Sequence, residues 1–352
     1  MLPVSKEQIL KALSKVRDPE LGKDIVTAGF VREITILGNE VYVRLVLATP
    51  ASAARDQLLK DVNDRIAAVP GVEKVHVDLP AEVSSSNAPG RSGVSQIKNV
   101  IAIASGKGGV GKSTVAVNLA VALSRAGVRV GLLDADIYGA SIPAMLGVSG
   151  LPEVHENRIT PLVAQGMEVI SMGFFSNTQT PVIWRGPLIG KAVKDFLELV
   201  DWSALDYLIV DLPPGTGDSA LSLAQSIRIT GVVVVTTPQE AALLVAEKAL
   251  YMFRKLEIPI LGIIENMSYY VCPHCDERSE IFSHGGGKAA ADEAGVPFLG
   301  EIPLDSQVRV AGDVGIPLNT KESLIAKSFE EIAQNLAGQI GILNYTKKEQ
   351  SK

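Results

Sequence analysis

The chain has 352 residues, with 33 Lys and Arg against 39 Asp and Glu, a net charge of −6, and 47% hydrophobic but only 5% aromatic residues. Its length exceeds a typical single core and predicts two domains. The acidic balance and scarce aromatics argue against a nucleic-acid partner, which calls for a basic surface or a base-stacking platform. A membrane partner is not expected either, because no run reaches the ~18 consecutive apolar residues of a membrane helix.

Residues 1–79 read as a small α+β domain. Ile9, Leu10, Leu13 and Val16 recur at helical spacing over residues 5–16, with Ser5 at the N-cap position. Residues 25–36 and 40–47 read as strands joined by the turn signal Gly38-Asn39, residues 52–67 as a second helix, and residues 72–79 as a half-buried strand. Residues 1–18 mix Lys, Glu and Gln with apolar residues and lack the apolar centre of a signal peptide. Residues 80–96, rich in Ser, Asn, Pro and Gly, predict a flexible linker.

Over residues 97–342 apolar runs alternate with helical stretches. The runs are 100–104, 128–133, 167–171, 207–210, 231–236, 260–264 and 297–302. They are apolar rather than alternating, with Arg129, Glu168 and Glu301 the charged exceptions, as parallel strands buried on both faces are. The expected fold class is α/β, a mostly parallel doubly wound sheet. Residues 343–352 read as a polar tail.

Gly106-Lys107-Gly108-Gly109-Val110-Gly111-Lys112-Ser113 fits the phosphate-loop pattern G-x-x-x-x-G-K-[ST], and it follows the run 100–104 and precedes a helical stretch from Thr114. Its glycines let backbone N–H groups, Val110 among them, curl round an anion, and the helix N-terminus adds partial positive charge. Lys112 is placed to reach the β- and γ-phosphates and Ser113 to ligate Mg²⁺. Asp134 and Asp136 end the second run, where open α/β sheets bind ligands; taken alone the pair also fits a turn or a helix cap. Residues 208–211 form an apolar run ending in Asp211, a Walker B pattern that holds Mg²⁺ through water, and Pro213-Pro214-Gly215-Thr216-Gly217 reads as a switch loop.

The only cysteines are Cys272 and Cys275. One close pair excludes a disulfide framework and points to a reducing, cytoplasmic compartment. Thiolates at C-x-x-C spacing fit four readings: half of an iron–sulfur site, a structural zinc completed by His274 or His284, a redox pair, or two inert thiols. A [4Fe–4S] cubane needs four ligands, so a cluster requires two copies of the chain.

The extra lysine in Gly106-Lys107-Gly108-Gly109-Val110-Gly111-Lys112-Ser113-Thr114 resembles the deviant Walker A of the MinD/ParA/nitrogenase-iron-protein class. That resemblance implies a nucleotide-sandwich homodimer in which Lys107 crosses to the partner's nucleotide. It also implies that Asp136 orients the attacking water, that Asp134 stands near the shell of Mg²⁺, and that Asn266 hydrogen-bonds the adenine of ATP.

Together with Asp134-Ala135-Asp136-Ile137-Tyr138-Gly139, Trp184-Arg185-Gly186-Pro187, the segment Asp211 to Asp218, Asn266-Met267-Ser268 and Cys272 to Cys275, the chain resembles the Mrp/ApbC family of iron–sulfur cluster carrier ATPases. The resemblance implies an ATPase that holds a [4Fe–4S] cluster on Cys272 and Cys275 of a homodimer, with apo iron–sulfur proteins and cluster scaffolds as partners. Asp18-Pro19-Glu20-Leu21-Gly22 and Thr49-Pro50-Ala51 resemble the small iron–sulfur-assembly domain often fused to these proteins. Ser52 stands where many of its relatives carry cysteine, so a docking role is expected of this domain rather than cluster ligation. The competing expectation is a MinD/ParA-like positioning ATPase with a structural zinc at the cysteines.

Overall fold

The computed structural model describes residues 4–19, 21–46, 55–80, 83, 85, 96–137, 139–175, 186–318 and 323–350. Two compact units result, one of Met1–Ser84 with Ala337–Lys352 and the other of Ser85–Leu336. Thr49-Pro50-Ala51, Ser52, Tyr138, Trp184-Arg185 and most of the expected linker lie outside the described residues.

In the N-terminal unit α1 (Lys6–Leu13) begins with a reciprocal cap, in which the Ser5 hydroxyl accepts from Gln8 N–H and the Gln8 side chain accepts from Ser5 N–H. β1 (Val31–Leu37) and β2 (Glu40–Leu45) form an antiparallel hairpin, and α2 (Arg55–Ala67) carries the chain over to β3 (Lys74–Asp78), which lies parallel to β2. Ile9, Leu13, Ile25, Val41, Leu45, Leu58 and Ile66 fill the core. The strand expected over 25–36 starts only at Val31. Asp24 accepts from the N–H groups of Val26 and Thr27, and Gly29 takes φ +72°, so residues 24–29 turn while Ile25 and Phe30 still point into the core. Asp18 accepts from Leu21 N–H with its carboxylate and from Gly22 N–H with its carbonyl.

In the second unit all seven expected runs are strands. The elements are β4 (Asn99–Ser105), α3 (Lys112–Arg125), β5 (Val130–Asp134), α4 (Ile142–Leu146), β6 (Val154–His155), β7 (Arg158–Ile159), β8 (Leu162–Ala164), β9 (Met167–Ser171), α5 (Gly186–Leu199), β10 (Tyr207–Asp211), α6 (Asp218–Ser226), β11 (Gly231–Thr236), α7 (Glu240–Lys255), β12 (Ile260–Val271), β13 (Arg278–Ser279), α8 (Gly286–Ala294), β14 (Phe298–Leu304), α9 (Ser306–Val314) and α10 (Leu324–Gln350). Strand order is β13-β12-β11-β4-β10-β5-β9-β8, with β14 also paired to β12. The pairs within β12-β11-β4-β10-β5-β9 are parallel, as is β14 on β12, whereas β8 and β13 add antiparallel edges.

Val100, Ala102 and Ala104 of β4 pack with Phe196, Leu223 and Phe253 from α5, α6 and α7, while Ile101 and Ile103 between them are also fully buried. Helix α3 packs along β4, β5, β9 and β10. Burial on both faces is what the continuous apolar runs implied. β12 runs seven residues past the expected strand, because after Asn266 it bulges and continues to Val271. Residues 343–350, expected as a tail, continue α10; they belong to the N-terminal unit, where Tyr345 packs on the core. No described helix is long and apolar enough to cross a membrane.

Candidate functional site

The C-terminal ends of β4, β5 and β10 meet at one rung. Asp211 pairs in register with Asp134, which pairs with Ser171. From β4 the chain enters the phosphate loop. Gly109 (φ +84°) and Gly111 (φ +81°) take left-handed conformations that side-chain residues rarely adopt. Gly108 and Gly109 face open space, whereas a Cβ on Gly106 lies 2.3 Å from the Val245 backbone. Helix α3 starts at Lys112, after Gly111, without a side-chain cap, so its first N–H groups are free to meet an anion.

Lys112, Ser113 and Asp211 form one knot. Lys112 Nζ lies 2.6 Å from Asp211 Oδ1, the Ser113 hydroxyl donates to Asp211 Oδ2 at 2.5 Å, and Asp136 Oδ2 is 3.9 Å from Lys112 Nζ. Asp134, fully buried, accepts from Ser171 Oγ at 2.9 Å and from the N–H groups of Asp136 and Ile142. Burial, helped by the charge on Asp211, pushes the Asp134 carboxyl up to about 7. Burial also raises Asp211, with Lys112 pulling the other way. Three carboxylates around one ammonium carry excess negative charge, and with a serine hydroxyl among them they are the hard-oxygen set that Mg²⁺ prefers. The residues therefore fit a magnesium nucleotide.

Lys107 extends to Gln239 Oε1 at 3.5 Å. Gly215 of the expected switch donates to Ser105 O, tying that segment to the start of the phosphate loop. Thr114 lies in the first turn of α3, and its carbonyl accepts from Asn118. Asn266, 7% exposed, donates from Nδ2 to Val110 O at 2.8 Å, and its amide sits where a Cβ on Gly111 would be.

Cys272 and Cys275 form the turn of a hairpin made by the end of β12 and β13, rather than a loop beyond a strand. Cys272 N–H donates to Glu277 O, Asp276 N–H donates to Cys272 O, and Tyr270 and Val271 pair with Ser279 and Arg278. Cys272 is half-buried and Cys275 exposed. The N–H groups of His274 and Cys275 point at the Cys272 sulfur and hold its thiol below the usual range, which favours the thiolate that binds metal.

Sequence reasoning missed Ser171, Gln239, Glu265, Arg278 and Glu301, and quoted Ser268 within a motif without a role. Glu265 is fully buried and accepts from Ser268 Oγ and from the N–H groups of Gly285 and Gly287 at the start of α8. A carboxylate inside a strand that caps a helix twenty residues later leaves no local pattern; the one signal was the glycine run Gly285-Gly286-Gly287.

Comparison with known proteins places these observations. A family profile described as "NUBPL iron-transfer P-loop NTPase", of ParA type, matches residues 96–337, and one described as "Iron-sulfur cluster assembly protein" matches residues 6–78. The iron-sulfur cluster carrier protein of Synechocystis sp. is 45% identical over 348 residues, covering 96% of this chain and 99% of the relative. A nucleotide-binding protein of Archaeoglobus fulgidus solved in complex with ADP is 41% identical at a TM-score of 0.57, over 63% of this chain and 88% of that one. The cell division ATPase MinD of Pyrococcus furiosus is 28% identical at a TM-score of 0.52, over 67% of this chain and 97% of that one. With its phosphate loop, paired aspartates and late cysteine hairpin on a MinD-like sheet, the chain belongs to the ParA-type iron-transfer P-loop NTPases, fused to an iron–sulfur cluster assembly domain.

Proposed function

We propose that the chain is an ATP-hydrolysing iron–sulfur cluster carrier whose cargo, a [4Fe–4S] cluster, sits between two copies on Cys272 and Cys275 of each and passes to apoproteins in the cytoplasm. The observation that carries this reading is β12, which presents Asn266 to the phosphate loop and ends in the cysteine turn. A cubane takes about four thiolates, and a chain with two cysteines supplies them as a homodimer.

In this reading the N–H groups of residues 106–114 and Lys112 hold the phosphates, while Ser113 and Asp211 hold Mg²⁺, with Asp134 behind its water shell. Mg²⁺ neutralises charge on the phosphate oxygens when bound. Asp136 orients the attacking water, Lys107 leaves Gln239 to reach the partner's nucleotide, and Asn266 meets the adenine. The segment after Asp211 relays hydrolysis to the dimer contact through its tie to Ser105.

Anaerobic reconstitution with iron and sulfide tests the proposal. The expected result is about four irons per pair of chains, lost in the Cys272→Ser/Cys275→Ser variant, with transfer to an apoprotein accelerated by ATP. Stoichiometric zinc and no iron would sink it and leave the cysteines structural.

A further inference from the structure

β12 serves the nucleotide end and the cysteine end of the site, and it is broken between them. Asn266 pairs with Ile302 and Tyr270 with Leu304, so four steps of β12 span two of β14. In this bulge Met267 takes φ +55°, a left-handed conformation that side-chain residues occupy sparsely. Bulges redirect side chains, and strained backbone of this kind clusters at functional and switch sites.

The bulge is held from the side by Glu301 of β14. Its Oε2 lies 2.7 Å from His284 Nε2 and 3.2 Å from Ser268 Oγ, a contact without a proton of its own because the one Ser268 hydroxyl hydrogen goes to Glu265 at 2.5 Å. Its Oε1 is 3.6 Å from the Arg278 guanidinium, which stacks 3.7 Å above the Tyr269 ring. Arg278 belongs to β13, the return strand of the cysteine hairpin. Glu265, which takes that hydrogen, is the residue before Asn266. One carboxylate thus touches the bulge beside the nucleotide contact, the strand that closes the cysteine turn, and the segment leading into α8.

Glu265, His284 and Glu301 present ligand atoms within 4.8 Å of one another. Both Glu265 oxygens are already taken by Ser268 and the two glycine N–H groups, so the group is a closed hydrogen-bond network rather than an open cation site.

We propose that Glu301 is a positioning residue that couples occupancy of the nucleotide site to the geometry of the cysteine turn, through Ser268 on one side and Arg278 on the other. This rests on the reading of β12 as the element that joins nucleotide to cluster-binding thiolates. A nucleotide in the phosphate loop displaces or tightens the Asn266–Val110 hydrogen bond. The neighbouring bulge takes up the shift, and Glu301 passes it to the return strand of the hairpin. Coupling of this kind is reciprocal, so a change at the thiols also alters nucleotide affinity.

The two cysteines are the only thiols in the chain, which gives a readout independent of any cluster. Iodoacetamide alkylation of the full-length apoprotein is followed with and without Mg·ADP and Mg·ATP. In wild type the rate is expected to change at least ~5-fold on nucleotide binding, the lower end of typical allosteric couplings. Glu301→Gln removes the charge that holds Arg278, and Arg278→Met removes the exposed hairpin partner. Both variants are expected to alkylate at a nucleotide-independent rate while binding nucleotide within about 2-fold of wild type, a change too small to move coupling of this size. Glu301→Asp, tested with them, should restore part of the dependence. A nucleotide effect that persists in both variants overturns the proposal, as does its absence in wild type. Reconstitution of the same proteins with iron and sulfide separates the two readings. Wild type that takes up no iron fails as a cluster carrier, whatever the thiol rates show. Variants that load iron normally yet keep the nucleotide effect defeat the relay alone.

Discussion

Gly106 and Gly108 are two residues apart in one loop and do different things. A Cβ on Gly106 meets the Val245 backbone at 2.3 Å, and a backbone neighbour cannot rotate away. Gly106→Ala should therefore cost about 1–3 kcal/mol, as overpacking does. Gly108 faces open space at ordinary φ, so Gly108→Ala should leave the melting temperature unchanged yet weaken nucleotide binding, because the new methyl enters the phosphate's volume. Thermal melts paired with nucleotide titrations separate the two effects. Charge at the same rung predicts a pH dependence. Asp134 has a carboxyl pushed up to about 7 by burial, against about 3.9 in an unfolded chain. Between those values the unfolded state gives up a proton that the native state keeps, so nucleotide-free protein loses stability as pH rises through that window, by on the order of 4 kcal/mol in total. Asp206 has the opposite sign. Burial opposes its ionisation, but hydrogen bonds from Lys98 and Arg129 outweigh that and lower its pKa, so its contribution is present above about 3.9 and is lost on acidification. Melting temperature against pH should flatten between pH 4 and 7 in Asp134→Asn, and its acid limb should flatten in Asp206→Asn.

At the scale of elements, what the sequence revealed depended on length and continuity. Seven strands were legible because each is a mostly apolar run, and β4, β5, β10 and β11 are buried along their whole length. β8 and β13 were not, because two or three residues carry no period. The far half of β12 was hidden as well: Glu265, Asn266 and Ser268 break its apolar run, and their burial is satisfied by partners on α8, the phosphate loop and β14. The same physics made residues 25–30 look like strand, since Ile25, Val26 and Phe30 are apolar but serve the core from a turn. The site followed suit. The phosphate loop, Asp134 at the end of β5 with Asp136 just after it, Asp211 and the cysteine pair declared themselves by local spacing, whereas Glu265 caps α8 from another element. Because α8 has no side-chain cap of its own, Glu265→Ala leaves two N–H groups without their acceptor and should cost about 2–3 kcal/mol. Hydrogen exchange should show the loss first in the opening turn of α8, while α3 keeps its protection.

For the whole molecule, the informative feature is that the N-terminal unit is built from both ends of the sequence. Ala337–Lys352 belong with residues 1–84. Tyr345 packs on the core of Ile9, Leu13 and Ile25, its ring lies 4.8 Å from Lys23 Nζ, and its hydroxyl donates to Glu349. The Lys23–Glu349 pair, at 2.8 Å, is close to half exposed on both sides and contributes little by itself, as surface ion pairs do. The apolar ring is therefore the part of the C-terminal segment that stabilises this unit. Tyr345→Ala should destabilise it by about 1–3 kcal/mol, the low range for truncating a half-buried aromatic. Native-state hydrogen exchange reads this unit separately from the other, so it is the test here. Amides of α1 and of β1–β3 should lose protection by about one to two powers of ten, the factor that such a free energy implies, and α3 and β4 should keep theirs. That pattern would make the C-terminal segment a structural part of a domain that folds as its own unit. Equal loss in α3 would instead mean that the two units open together, and the N-terminal domain would then report on the nucleotide site through stability rather than through docking.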